Sequence, residues 1–215
     1  MTLSARISDY AEVVAVLQAG GRGQRLRPLT DARPKPMIEV GGVPMIERMF
    51  RQMIAVGVRN FVVVSGWQGD QIRRHLGNLS GLPHNLKIRF HTEEAPLGNA
   101  GALLRVDDLK ETTLFAFADL VTSLNSGELL ERHAASDNAI TIASHREKYS
   151  LSLGELVTQQ EHVVAYREKP EKSFTICSGV AAFNSAFLRD CSLEPPVGLV
   201  DLVNDAISRD LPVEH

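Results

Sequence analysis

Three uncharged five-residue runs constrain this chain more than anything else in it: VVAVL at 13–17, FVVVS at 61–65 and LFAFA at 114–118. A strand that is apolar at every position has no face to offer to water, so it must be covered on both sides. Between the first two runs, Met45, Ile46, Met49, Phe50, Met53 and Ile54 recur at helical spacing and predict an amphipathic helix over 44–56. Gln68–Leu76 reads as a polar helix with Ile72 and Leu76 turned inward, Leu86–Phe90 as a strand, and Gly98–Leu104 as the opening of a further helix. Strands and helices in that alternation require right-handed crossovers and a mostly parallel sheet with helices on both faces. The expected fold is therefore α/β, a Rossmann-like three-layer architecture. After residue 138 the pattern changes to short strands at Ala139–Ser144, Glu155–Val157, Val163–Arg167 and Gly179–Phe183, separated by polar turns. They predict a small antiparallel extension in the C-terminal third. No linker is visible, so a single domain over 1–215 is expected, with lobes at 1–138 and 139–215.

At 215 residues, 44% hydrophobic and 23% charged, the chain can bury a real core, which excludes a disordered tail, a collagen-like fibre or a disulfide-stapled module. No apolar run approaches the roughly 20 residues needed to cross a bilayer. The N-terminal MTLSARISDY lacks a long apolar stretch, so no secretory signal is expected. Cys177 and Cys191 have no partner pair to complete a zinc site, and reduced thiols in a cytoplasmic protein are the expectation. A net charge of -3 argues against nucleic-acid or membrane partners. The first half is basic and the second acidic, a distribution that suits a phosphate ligand with a metal counter-ion or simply an unevenly charged surface.

The segment LQAGGRGQRLRPLTDARPKPM, residues 17–37, follows the first strand directly. Ligands of open parallel sheets sit beyond the carboxyl ends of the strands. Gly20, Gly21 and Gly23 let the backbone turn sharply and present N–H groups to an anion. Arg22, Arg25, Arg27, Arg33 and Lys35 follow, opposed only by Asp31, on a loop stiffened by Pro28, Pro34 and Pro36. A dinucleotide fingerprint is absent, because Leu26 stands where its third glycine would be, and so is the Gly-Lys-Ser/Thr of a P-loop. A plain strand-to-helix turn with solvated arginines would leave the prolines and the fixed spacing of the cations unexplained.

GGRGQRLRPLT at 20–30 followed by PKPM at 34–37 resembles the signature of the sugar-1-phosphate nucleotidyltransferases. Further resemblance lies in GGVPMIE (41–47), EEAPLGNAGAL (93–103), Asp119 after its strand, SLGEL (152–156), REKP (167–170) and CSGVAAF (177–183), so it spans nearly the whole chain. The resemblance implies transfer of a nucleoside monophosphate from a nucleoside triphosphate to a sugar 1-phosphate, with release of pyrophosphate. It implies that Leu17, Ala19, Gly20, Gly21, Gly23 and Arg25 hold the nucleotide and its triphosphate. Lys35 would stabilise the α-phosphate and the leaving group, and Asp119 would bind Mg²⁺. Glu93, Pro96 and Gly98 would form the base pocket, and Gly154, Glu168 and Lys169 the sugar-phosphate side. The lesser alternative for Asp119 is a cap of the next helix, and taken without the family Glu168 and Lys169 would be solvent-facing strand residues.

A carboxylate at Glu93 can accept from both N1–H and the exocyclic amine of guanine, whereas uracil and thymine offer one imide N–H. GTP is therefore the expected donor, with UTP or dTTP next, unless Glu94 or backbone groups read the base. Several positions depart from the family pattern. Gln24 stands where Thr or Ser is usual, Phe117-Ala118-Asp119 replaces Asn-Gly-Asp, and Cys177 replaces an Asn that commonly contacts the sugar. The family's Trp-x-Asp-x-Gly segment, carrying a second metal ligand, does not occur before His215; Asp201 and Asp205 are the nearby carboxylates. These departures support a second reading, a nucleotide- or sugar-nucleotide-binding regulatory homologue without turnover. A molybdopterin- or CMP-sugar-type transferase fits less well with Pro-Lys-Pro-Met and Glu-Lys-Pro. His75, His84, His91, His133, His145 and His162 show no metal-ligand spacing and read as surface or core residues.

Overall fold

The computed structural model describes residues 10–21 and 23–215. Arg22 and the first nine residues, on which part of the basic loop and the expectation about a leader fall, lie outside the described residues. The chain runs β1 (Val13–Gln18), a two-strand ribbon of β2 (Glu39–Val40) and β3 (Val43–Pro44), α1 (Met45–Ala55), β4 (Asn60–Ser65), α2 (Gly69–Gly77) and β5 (Lys87–Thr92). It continues through β6 (Thr112–Phe117), α3 (Ser126–Ala134), β7 (Ile140–Ser150), β8 (Glu155–Gln159), β9 (His162–Arg167) and β10 (Glu171–Asn184). Two helices, α4 (Ser185–Asp190) and α5 (Leu199–Ser208), and the short β11 (Val213–Glu214) complete it.

Seven strands form one sheet in the order β11-β7-β10-β6-β1-β4-β5. β1 pairs parallel with both β4 and β6, β4 pairs parallel with β5, and β10 runs antiparallel to β6. The three apolar runs occupy the centre, as their composition demands. Val14 and Val16 of β1 and Val62 and Val64 of β4 face a core closed by Leu103, Phe187, Leu199 and Leu202. The alternate residue Phe61 meets Phe50 of α1 on the opposite face, ring centroids 4.6 Å apart. The chain builds outward from β1 through β4 to β5, then crosses to β6 on the other side of β1. That reversal opens a crevice between the carboxyl ends of β1 and β6, the place where open α/β sheets take their ligands.

The chain packs as two compact units, one comprising the residues up to Ile142 with Gly179–His215, the other Ala143–Ser178. β7 and β10 each belong to both units and are longer than the short strands expected there. Their buried halves carry the apolar signal, whereas Arg146–Ser150 and Glu171–Thr175 are exposed and polar in character. In the second unit β8 and β9 form a bulged antiparallel hairpin, and Glu155 of β8 accepts from Lys172 at 2.9 Å. Gly98–Leu104 does not open a helix; only a 3₁₀ turn forms at Gly101–Leu104. His133 is a core residue, 5% exposed and hydrogen-bonded to Thr141 at 2.8 Å, and burial holds its imidazole below the ordinary value. Among the described residues no helix is long and apolar enough to cross a membrane.

Candidate active site

The crevice is a cleft of about 910 Å³. Its floor is the end of β1. The Ala19 amide donates to Val64 O at 2.7 Å and the Ala118 amide to Gln18 O at 2.9 Å, which fixes the loops leaving β1 and β6 side by side. Gly23 sits at φ +63, and a Cβ there would come within 2.9 Å of both Lys35 Cβ and Thr30 Cγ2. A glycine is required on both counts. Buried Thr30 donates from Oγ1 to Gly23 O at 2.9 Å, folding the basic loop back on itself. Pro34 and Pro36 are buried and anchor the Lys35–Met37 3₁₀ turn, so Lys35 projects from a rigid support.

Lys35 Nζ and the Asp119 carboxylate form an ion pair, both half-buried in the cleft wall. Asp119 is thus no helix cap. That task falls to Asn125, whose Oδ1 accepts from the Gly127 amide at 3.0 Å at the start of α3. Arg25 is exposed and lines the cleft with no ion pair among the described residues. Ala19, Gly20, Gly21, Gly23, Pro96 and Gly98 also line it, so the structure gathers most of the predicted nucleotide residues around one space.

Leu17 does not join them. Its side chain is fully buried in the core, and Gln18, one residue on, faces the cleft instead. Strand alternation decides this: the last inward residue of β1 is followed by one at the strand's open end. Glu93 follows β5, with its amide donating to Ser65 O at 2.8 Å. Its Oε2 lies 3.5 Å from Gln18 Nε2 and so close to Gly20 that a Cβ there would collide with it. Burial pushes the Glu93 carboxyl above its ordinary value, opposed by the Gln18 amide, the Leu97 amide and His91.

The loop after Glu93 is braced from behind. Gly98 has φ +90, and a Cβ there would strike the Val197 backbone, whose N would be 2.6 Å away. Val197 N–H donates to Leu97 O at 2.8 Å and its carbonyl accepts from Ala100 N–H at 3.0 Å. Asn99 Oδ1 accepts from the Leu199 amide at 2.8 Å. Asn99 and Val197 carry no signal in the sequence, since their contacts join segments a hundred residues apart. Gln24 lines the cleft, as does Phe117, which stacks edge-on against Phe115 and lies where a Cβ on Gly179 would have to go.

Asp201 and Asp205 are engaged within and beside α5. Asp201 Oδ2 accepts from the Gly198 amide at 2.6 Å as a cap of α5, and Asp205 pairs with Arg209 at 3.1 Å. Neither lines the cleft, and no three His, Cys, Asp or Glu side chains gather as a cage among the described residues. The donor chemistry at Asp119 still fits a hard divalent cation. Such an ion usually takes one or two carboxylates and completes its sphere with substrate phosphates and water.

In the second unit, Gly154 lies against Tyr166, whose hydroxyl donates to Glu168 Oε2 at 2.8 Å, and Lys169 occupies the left-handed region at φ +45. A side chain at 154 would collide with the Tyr166 ring, which explains that glycine. Cys177 also belongs to this unit.

Residues 14–211 match the family model described as Nucleotidyl transferase. The chain belongs to that family. Among relatives of this nucleotidyl transferase, a mannose-1-phosphate guanylyltransferase of Mycobacterium tuberculosis is 31% identical over 74% of the chain and 45% of its own length. The UTP--glucose-1-phosphate uridylyltransferase AglF of Haloferax volcanii is 31% identical over 85% of the chain and 76% of its own. A D-glycero-alpha-D-manno-heptose 1-phosphate guanylyltransferase of Aneurinibacillus thermoaerophilus is 26% identical over 83% and 78%. The chain thus spans under half the mycobacterial relative and about three quarters of the other two. The fold recurs in a crystal structure from Bacillus anthracis assigned as a glucose-1-phosphate thymidylyltransferase, with TM-score 0.71, 20% identity, and coverage of 94% of this chain and 86% of that one. It recurs in HddC of Yersinia pseudotuberculosis complexed with GMP-PN, with TM-score 0.63, 22% identity, and coverage of 86% and 82%.

Proposed function

We propose that this nucleotidyl transferase joins a nucleoside triphosphate to a sugar 1-phosphate. A phosphate oxygen of the sugar attacks the α-phosphorus, the bond from that phosphorus to the bridging oxygen breaks, and pyrophosphate leaves with the electron pair. The single observation that carries the reading is the Lys35–Asp119 pair on the wall of a glycine-lined cleft. Two anions must meet in this reaction, so the barrier is mostly electrostatic. Lys35, fixed between two buried prolines, neutralises charge at the α-phosphate and on the departing pyrophosphate. Arg25 and the amides of Gly20, Gly21 and Gly23 hold the outer phosphates. In the same reading Asp119 holds a divalent cation, Mg²⁺, which supplies charge neutralisation to the phosphates when bound. Gly154, Glu168 and Lys169 serve the sugar phosphate.

The relatives are named for guanylyl and uridylyl transfer, which favours turnover over a binding-only role. GTP is the favoured donor, with UTP or dTTP next, and Glu93 supports that choice. A cytoplasmic setting suits a substrate of this kind, and the two cysteines are not joined in a disulfide. The test is pyrophosphate release from a panel of triphosphates and hexose 1-phosphates with MgCl₂. Release that needs both substrates is expected; tight triphosphate binding without release from any pair would overturn the reading.

A further inference from the structure

Gln18 closes β1 with its side chain in the cleft, directly beside Glu93. Its orientation is set by chemistry. An ionised carboxylate has no proton to give, so the amide nitrogen faces Glu93 and the amide oxygen turns away. Gln18 Oε1 is then a buried acceptor with no hydrogen-bond partner among the described residues, and Glu93 Oε1 is another. Buried polar atoms are rarely left unpaired, because each has given up its water without a hydrogen bond in return. Two such acceptors on touching side chains, both at the wall of one cleft, are matched by a ligand edge that carries two adjacent donors.

We propose that Gln18 Oε1 and Glu93 Oε1 together read the base of the donor nucleotide as guanine, with Gln18 a specificity-determining residue. The proposal rests on the transferase reading of the cleft and deepens it. Guanine carries N1–H next to its 2-amino group. Uracil and thymine flank one imide N–H with two carbonyls, and adenine and cytosine set an amino group beside a ring acceptor. Against the Gln18–Glu93 pair, each of these bases turns at least one lone pair toward an acceptor. Glu93 acting alone as a two-pronged acceptor, as the sequence suggests, is a different arrangement: here its Oε2 faces Gln18, and the second prong comes from the amide. The Gly20 backbone contributes by having no Cβ, since one would displace Glu93 from this position.

The test is the dissociation constant of GTP, ITP and UTP, with MgCl₂, for the full chain and for Gln18→Leu and Gln18→Met. Thermal melting establishes that each variant is folded, and the methionine variant serves where leucine fails. ITP lacks only the 2-amino group. The parent is expected to bind GTP roughly tenfold tighter than ITP and tighter still than UTP, as one hydrogen bond of this kind is worth. Loss of the amide should weaken GTP about tenfold and leave UTP within about twofold. Equal weakening of GTP and UTP would reduce Gln18 to a brace for the cleft and overturn the proposal, while Glu93 could still read the base. A parent that binds GTP, ITP and UTP alike would overturn the proposal and the guanine preference together. A parent that binds no triphosphate would instead bring down the transferase reading, on which the proposal stands.

Discussion

The two ends of the cleft are built on opposite principles. At the end proposed for the phosphates the lining groups are charges: Arg25 is exposed, and Lys35 and Asp119 are half-buried and partnered with each other. At the end proposed for the base they are shapes. Gly20 and Gly98 leave no room for a Cβ, backbone hydrogen bonds join Val197 to Leu97 and Ala100, and a carboxylate is kept partly out of water. Charges on a stiff loop are removable without disturbing the core. A close-packed backbone is not, so stability and function should separate at one end and move together at the other.

The sharpest contrast is expected from Lys35→Ala. Loss of an electrostatic stabiliser of the transition state costs about 10²–10³ in turnover. The ion pair it breaks is partly solvated and worth at most about 1 kcal/mol of stability. Turnover per folded molecule and melting temperature, measured on one preparation, check both halves. Comparable turnover in variant and parent would remove Lys35 from the chemistry. Asp119→Asn should likewise abolish the divalent-cation dependence of nucleotide binding while leaving the apo melting temperature nearly unchanged, since Asn125 and not Asp119 caps α3.

Next in size is Glu93→Gln. Hydrogen bonds to a charged group are worth about 1.5–3 kcal/mol, so guanine preference should fall roughly ten- to a hundredfold. Competition binding of GTP against UTP measures it. Gly98→Ala should cost about 1–3 kcal/mol of stability from its backbone conformation alone, and it should weaken nucleotide binding at the same time. Denaturant unfolding and a binding isotherm together decide whether the two losses travel together. A stable Gly98→Ala protein with parental binding would break the comparison at its packed end.

The smallest effect concerns pH and runs against intuition. Burial raises the Glu93 carboxyl above its ordinary value, so ionising that group costs the apo fold stability relative to the unfolded chain. The stability associated with the raised value is present below the ordinary glutamate range and lost as pH rises through the Glu93 value. Glu93→Gln should therefore melt higher than the parent at neutral pH, with the gap closing as pH falls through that window. Guanine donors favour the ionised carboxylate, so GTP binding by the parent should weaken over the same fall. Melting curves and GTP titrations across the acid range test the two trends.

The same contrast explains what the amino-acid sequence reveals. VVAVL, FVVVS and LFAFA announce the central sheet because a strand covered on both faces can be nothing but apolar. The phosphate end is legible because its glycines, prolines and cations are strung along seventeen consecutive positions, 20–36. The base end is assembled from residues distant in the chain, and there the reading falls short. Gln18 is hidden in a strand, its partner is 75 positions on, and Val197 acts only through its backbone. The family resemblance points to Leu17, yet a single step along β1 separates the core from the cleft. The far halves of β7 and β10 escape notice for a related reason: exposed strands carry no alternation to detect.

The account stands or falls on transfer itself. A ³¹P NMR time course of the full chain with GTP, a hexose 1-phosphate and MgCl₂ follows every phosphorus in the reaction. Equal growth of pyrophosphate and of a diphosphate-diester signal, both absent when the sugar phosphate is omitted, is the predicted result. Unchanged GTP and sugar-phosphate resonances across the hexose 1-phosphates and with UTP or dTTP in its place, or phosphate release that ignores the sugar, would contradict it.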